Sequence, residues 1–363
     1  MSLPTADSPS SFVVWSLVKI ACVVGILLTM VAYVVLVERK VSAFIQDRVG
    51  PNRVALPLIG SIPLLGPFLT RLGIWQPLAD GLKAFLKEDF TPAYVRKVYF
   101  WLAPALTMIP AFLTVAVIPF GSNLGKQQMV IANLNVGILY TFGIVSLGVY
   151  GIVLAGYAAN SKYPFLGGIR SSAQMISYEI SMGLSVIPVF MLVGSLNLSA
   201  VIDYQIGHAW LIFKQPVAFL VFLVAAFAET NRLPFDMPEC ETELVAGYNT
   251  EYSSMKFAMF FMGEYANMIA SSAMMVTLFL GGWTLPWFGL DQPAHSIGGG
   301  LLSIAIFLAK VCVLMLIFIW VRWMVPRFRY DQLMHLGWQR FIPLTLANIL
   351  ATAVVLLWLS ARL

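Results

Sequence analysis

Runs of about 20 apolar residues recur along this chain, the length a helix needs to cross bilayer hydrocarbon. Of its 363 residues 60% are hydrophobic and only 11% charged, too little polarity to clothe a water-soluble surface of this size. The solvent is therefore lipid. The expected fold class is an all-α integral membrane protein, one polytopic domain over residues 1–363 with no soluble second domain. Met1 to Ser11 is polar and lacks a positively charged start, and the first apolar run is too long for a signal-peptide core, so that run reads as a retained span.

Eight spans are predicted, at roughly 15–37, 99–119, 136–157, 173–194, 212–228, 257–280, 301–321 and 342–360. The loops 38–98, 160–172, 229–256 and 322–341 hold 9, 2, 2 and 4 Lys or Arg, whereas the opposite side has Lys126, Lys214 and Arg362. Seventeen against three sets the orientation. The positive-inside rule puts those four loops in the cytoplasm and both termini on the non-cytoplasmic side of a bacterial inner membrane. The net charge of +5 is then topological, and no nucleic-acid partner is expected. Trp15, Trp101, Trp210, Trp283, Trp287, Trp323, Trp338 and Trp358 fall near span ends and read as interfacial anchors.

Three cysteines and three histidines are scattered, with no pair spaced to hold a metal or cluster. No metal site and no catalytic residue of the chain's own is expected. Ile74 to Lys87 alternates Leu78, Leu82, Phe85 and Leu86 with Asp80, Lys83 and Lys87, the pattern of an amphipathic helix lying along the membrane. The fifth span has only about 13 uninterrupted apolar residues before Glu229-Thr-Asn-Arg, and short spans of this kind often border water-filled cavities.

Charge inside hydrocarbon is costly, so each buried acid is a functional candidate. Glu179 in the fourth span and Glu264 in the sixth lie at matching depth, roughly 10–12 Å below the cytoplasmic surface at 1.5 Å per residue. Glu38 closes the first span and Glu229 the fifth. The competing reading for each is a carboxylate paired with a nearby Lys, Arg or Tyr. Lys310, mid-span in the seventh helix, is a candidate counter-ion for one of them. In the loop after the fifth span, acids outnumber the single Arg232. Asp236 and Glu239 have capping-box spacing with Pro238 between, which predicts a short helix beginning near Asp236 with Glu239 and Glu243 on one face and Glu241 on another. Carboxylates crowded in this way are expected to share protons near neutral pH. Finally, Glu38-Arg39-Lys40 and the Gly-Pro-Asn turn between Arg48 and Arg53 read either as a headgroup-binding basic patch or as the mouth of a lateral opening.

Taken in order, VERK, RVGPNR, QPLADGLKAFLKED, NSKYPFLGGIRSSAQMISYE, RLPFDMPECETELVAGYNTEYSSMKF, GEY, LFLGGW and RYDQLMHLGW resemble the H-type membrane subunit of respiratory complex I, the NADH:quinone oxidoreductase. The likeness runs from Glu38 to the last span. It implies an eight-helix subunit that encloses most of a quinone tunnel, entered between the first span, the surface helix and the sixth span. Quinone is then the substrate, and FMN and iron–sulfur clusters belong to partner subunits. The implied partners are cluster-bearing and quinone-site peripheral subunits, small membrane subunits, antiporter-like subunits and lipid. The resemblance assigns Glu38, Arg39, Arg48, Arg53 and Arg232 to the tunnel or its entrance, and Glu179, Glu229, Asp236, Glu239, Glu241, Glu243 and Glu264 to a proton relay.

Two departures stand out. Ser146 occupies a position where some family members carry Glu, and Ala55 to Gly73 is an extra, mostly apolar stretch. Two rival readings remain: the equivalent subunit of a membrane-bound hydrogenase or ferredoxin-driven pump, separable by its electron-input partners, and a stand-alone secondary ion transporter. The transporter reading calls for paired interrupted spans in two repeated halves, a pattern not visible here.

Overall fold

The computed structural model describes residues 9–55, 65–124, 127–238, 241–286, 291–294 and 296–361, with backbone alone at 9–12, 65, 66, 124, 127, 241 and 242. Along the chain the helices are α1 (Pro9–Ile45), α2 (Leu65–Leu72), α3 (Gln76–Leu86), α4 (Lys97–Thr114), α5 (Gly137–Ala158), α6 (Lys162–Val193) and α7 (Leu198–Gly207). They continue as α8 (Leu211–Lys214), α9 (Pro216–Glu229), α10 (Glu241–Leu244), α11 (Ser254–Phe279), α12 (Ile297–Met324), α13 (Tyr330–His335) and α14 (Ile342–Ser360). One small antiparallel ladder joins Asn123–Leu124 to Gln127–Gln128.

Each predicted span meets a helix: α1, α4, α5, α6, α9, α11, α12 and α14. Among the described residues six helical segments are long and apolar enough to cross a membrane, and the 14-residue α9 and the 26-residue α11 are not among them. Several bounds differ from expectation. The first helix continues to Ile45, so Glu38 lies within it rather than at its end. Helix α6 begins at Lys162, which makes the predicted loop 160–172 mostly helical. In place of the loop 322–341 there is α13 followed by a π-helical turn, Leu336–Phe341, that leads without a break into α14. The apolar runs alone could not show this, because the added turns are polar or glycine-rich.

Helix against helix, these segments pack through small residues. Lipid tails are as apolar as leucine, so close backbone approach and dispersion supply what water would otherwise drive. At Gly151 of α5 a Cβ would stand 2.7 Å from the Thr107 backbone nitrogen and 3.0 Å from Ala103 O of α4. Only glycine fits there. The largest core joins Tyr178, Phe222, Phe279 and Phe318, while a second gathers Phe100, Tyr248, Tyr252 and Phe260, with Phe100 stacked on Tyr252 at 4.1 Å. Leu350, Val354 and Leu357 of α14 face outward, as a helix bathed in lipid requires.

The surface helix is present as α3, with Leu78, Leu82, Phe85 and Leu86 exposed. It is tied down at its middle and at its last turn. Arg39 of α1 donates to Asp80 at 2.7 Å, and Ser254 Oγ at the start of α11 lies 3.0 Å from Ala84 O and 2.9 Å from Lys87 O. Those carbonyls belong to the last turn of α3, where no intrahelical partner is available. Ser254→Ala is expected to loosen that turn by about 1 kcal/mol, seen as roughly fivefold faster amide exchange at 85–88 in the intact complex. Unchanged exchange there would remove Ser254 as the tether.

Most of the tryptophans sit near helix ends as anchors should, among them the exposed Trp15, Trp101, Trp323, Trp338 and Trp358. Two do not. Trp283 is buried, and the Trp210 ring covers Lys310 at 4.6 Å. Trp287 lies outside the described residues.

Candidate functional site

Where α1, α11, α12 and the segment after α9 meet, four charged side chains alternate in sign. Glu38 is 6% exposed; its Oε1 accepts from Arg322, and its Oε2 accepts from Tyr265 Oη at 2.7 Å. Arg232, also 6% exposed, reaches Glu38 Oε2 through Nη1 at 3.5 Å and Glu264 Oε2 through Nη2 at 3.5 Å. Its guanidinium lies over the Tyr265 ring at 4.1 Å, the geometry of a cation–π contact. Tyr248 Oη donates to Glu264 Oε1 at 3.5 Å. The order is thus Arg322, Glu38, Arg232, Glu264.

Burial works against the Arg232 charge, but Tyr265, Glu264 and Glu38 outweigh it and hold the guanidinium's pKa above its ordinary value. Desolvating this many charges returns little net stability, so such a network is poorly explained as a staple. Arg232 Nε is buried with no hydrogen-bond partner among the described residues. Buried N–H groups are nearly always satisfied, and this one marks a place where water or a ligand oxygen belongs.

A polar path leads away from the network. Glu264, Asn267 and Ser271 follow one another at helical spacings of three and four, so they share a face of α11. Asn267 and Ser271 line a small cavity together with Thr114, Thr141 and the buried Glu229. Glu179 of α6 lies near enough to Glu229 for their like charges to interact. Glu179 and Glu264, read as lying at matching depth, therefore stand in two groups, one about Glu229 and one about Arg232, with the α11 face between them.

The acidic loop differs from expectation. Turns lie on either side of Asp236, at 233–234 and 237–238, and among the described residues the helix of this loop is Glu241–Leu244. Its acids do not confront a lone arginine. Arg327 Nη2 donates to Asp236 at 2.9 Å, and Arg170 of α6 pairs with Glu243. Glu239 lies outside the described residues, and of Glu241 only the backbone is placed. Arg48 and Arg53 are exposed on the turn after α1, and Arg39 is engaged with Asp80. Lys310 is no counter-ion for these acids. Its ammonium donates to the carbonyls of Leu280 at 2.6 Å, Gly282 at 2.9 Å and Thr284 at 2.5 Å, beyond the far end of α11.

Sequence reasoning missed Tyr265, Arg322, Arg327 and Arg170 as partners. Tyr265 was in plain view beside Glu264 in Gly-Glu-Tyr; the arginines carried only a topological signal. Among the described residues no group of three or more His, Cys, Asp or Glu is placed to hold a metal ion.

A bundle of membrane-crossing helices with an internal chain of alternating charges defines the class: a polytopic membrane protein with an ionisable interior. Within that class, a family model described as NADH dehydrogenase matches residues 18–353, and the chain belongs to that family, as an H-type membrane subunit of the enzyme complex. An H-type NADH-quinone oxidoreductase subunit of Geobacter metallireducens is 49% identical over 345 residues, 94% of this chain and 96% of the relative. Its counterpart in Flavobacterium psychrophilum is 45% identical over 355 residues, 96% and 98% of the two chains. A third relative, the counterpart in Cytophaga hutchinsonii, is 45% identical over 358 residues, 97% and 99% of the two chains.

Proposed function

We propose that this chain forms the quinone tunnel of the complex and the acidic relay that links quinone reduction to ion movement. The observation that carries this reading is Arg232, buried between Glu38 and Glu264 with an N–H donor to spare. A quinone head group presents carbonyl oxygens that accept from such a donor. Electrons arrive from iron–sulfur clusters and FMN in peripheral partner subunits. As the quinone gains charge and takes up protons, the field at Arg232 changes, and Glu38 and Glu264 adjust their share of its positive charge. At an effective dielectric near 20, a unit charge about 4 Å away is worth about 4 kcal/mol, enough to shift a proton among neighbouring acids.

From Glu264 the disturbance passes along Asn267 and Ser271 to Glu229 and Glu179, and from there toward the antiporter-like subunits. Ser146 leaves α5 without a carboxylate to contribute. Asp236 with Arg327, and the acids Glu239, Glu241 and Glu243 beyond it, form the side of the relay nearer the peripheral arm. Arg39, Arg48 and Arg53 with α3 frame the entrance. In this reading the chain sits in the bacterial inner membrane with both termini on the non-cytoplasmic side, among the small membrane subunits.

In the intact complex, Glu264→Gln and Asp236→Asn are each expected to lower quinone-linked NADH oxidation and its proton pumping about tenfold, within the range by which single residues alter coupling. Transfer from NADH to a water-soluble artificial acceptor should be unaffected. Full pumping in both variants would remove the relay.

A further inference from the structure

We infer that a cleft between α1, α11 and α12, away from the charged network, is a binding site for one acyl chain of a phospholipid whose phosphate is held by Lys19. The cleft is walled by Val23, Leu27 and Met30 of α1, Ala273 of α11, and Ile304 and Phe307 of α12. Every residue lining it is apolar.

Its length matches a lipid chain. Lys19, Val23, Leu27 and Met30 follow at spacings of four, four and three, a single stripe down one face of α1. From Lys19 to Met30 is a rise of about 16 Å at 1.5 Å per residue, against about 15 Å for one leaflet's hydrocarbon. The stripe therefore runs from headgroup level to the bilayer's middle. At the outer end Lys19 is half-buried, and its ammonium makes only a long contact of 3.5 Å to Val130 O in the loop before α5. An ammonium has three N–H donors, and a stem along apolar surface with its head at the interface is where lysine holds a phosphate. A quinone does not fit as well. Its ring carbonyls need a donor, and nothing along the apolar wall supplies one.

The test uses the assembled complex in native membranes, incubated with a phospholipid carrying a diazirine at mid-chain and, separately, with a quinone carrying a diazirine in its tail. The lipid probe is expected to label the segments 23–30 and 304–311. Ala273→Phe, which fills the cleft, should reduce that labelling at least about fivefold, and Lys19→Gln should reduce it about threefold, both with wild-type NADH oxidation by an artificial acceptor. Should Ala273→Phe fail to assemble, the labelled segments and Lys19→Gln alone decide. Labelling that neither variant changes, labelling of these segments by the quinone probe instead, or their crosslinking to a neighbouring subunit, would overturn the site. None of these outcomes depends on whether the relay through Glu264 operates.

Discussion

Replacing Arg232 by methionine is expected to lower quinone-linked activity of the assembled complex by about a hundredfold, because it removes a buried cation shared by the buried Glu38 and the largely covered Glu264. Methionine is similar in volume, though its chain stops two atoms short of the guanidinium nitrogens, so the loss is chiefly electrostatic. Breaking a buried pair by deleting one partner costs about 3–5 kcal/mol, since the remaining charge has been taken out of water without compensation. The two acids fare differently. Glu38 keeps Arg322 and the Tyr265 hydroxyl, whereas Glu264 loses the cation 3.5 Å away. Adding Glu264→Gln to Arg232→Met should therefore restore thermal stability of the complex, but not quinone turnover, which needs the N–H donors of the guanidinium. Arg232→Lys keeps the charge without the planar fork and should fall between. Electron transfer from NADH to an artificial acceptor serves as the control for assembly. Were the single variant to retain full quinone turnover, Arg232 would be a structural ion in a well-packed joint.

Glu264 stood out because lipid makes a charge at its depth expensive, and depth along a helix is counted directly from sequence; Glu38 was marked by its place closing the first span, and Arg232 by the family resemblance. Their meeting was less visible, since it depends on how each helix is rotated about its axis. Arg322 pairs with Glu38 across 284 residues, and no periodicity records that distance. The same limit hid Arg170 beneath Glu243. Apolar runs located the helices well and their ends poorly. The first turns of α6, Lys162 to Ser172, are polar and glycine-rich, but Gly167 approaches so closely that a Cβ would stand 2.9 Å from Pro238 O. That contact seats the acidic loop on the helix. Helix α2 shows the converse case, since the extra stretch Ala55 to Gly73 gave no period strong enough to announce it. Lys40 donates to Arg71 O at 2.8 Å and anchors its last turn beside α1.

Lys310→Met is expected to destabilise the complex by about 3 kcal/mol and to do so from the far end of the bundle. A cation in mid-span suggests a carboxylate partner, yet here it answers a different need. The last carbonyls of a helix have no partner of their own. Beyond Phe279 the chain turns through Gly281 at φ +73° and Gly282 at φ +58°, left-handed conformations that glycine adopts without steric cost. The turn aims the carbonyls of Leu280, Gly282 and Thr284 at one point, the Lys310 ammonium. Lys310 supplies three N–H donors to three acceptors, with Trp210 closing the site from above. Each orphaned buried acceptor costs about 1–3 kcal/mol, so partial relaxation still leaves a loss near the stated figure. Gln205 braces the same turn, accepting from Gly281 N at 3.0 Å, which limits how far the loop can relax. The measurement is the half-life of quinone-linked activity on warming, beside amide exchange over 280–286. Activity before warming should be near normal, because Lys310 is not part of the charged network about Arg232. If Lys310→Met instead abolished turnover while thermal stability held, the lysine would belong to the charge path and not to the turn it fastens.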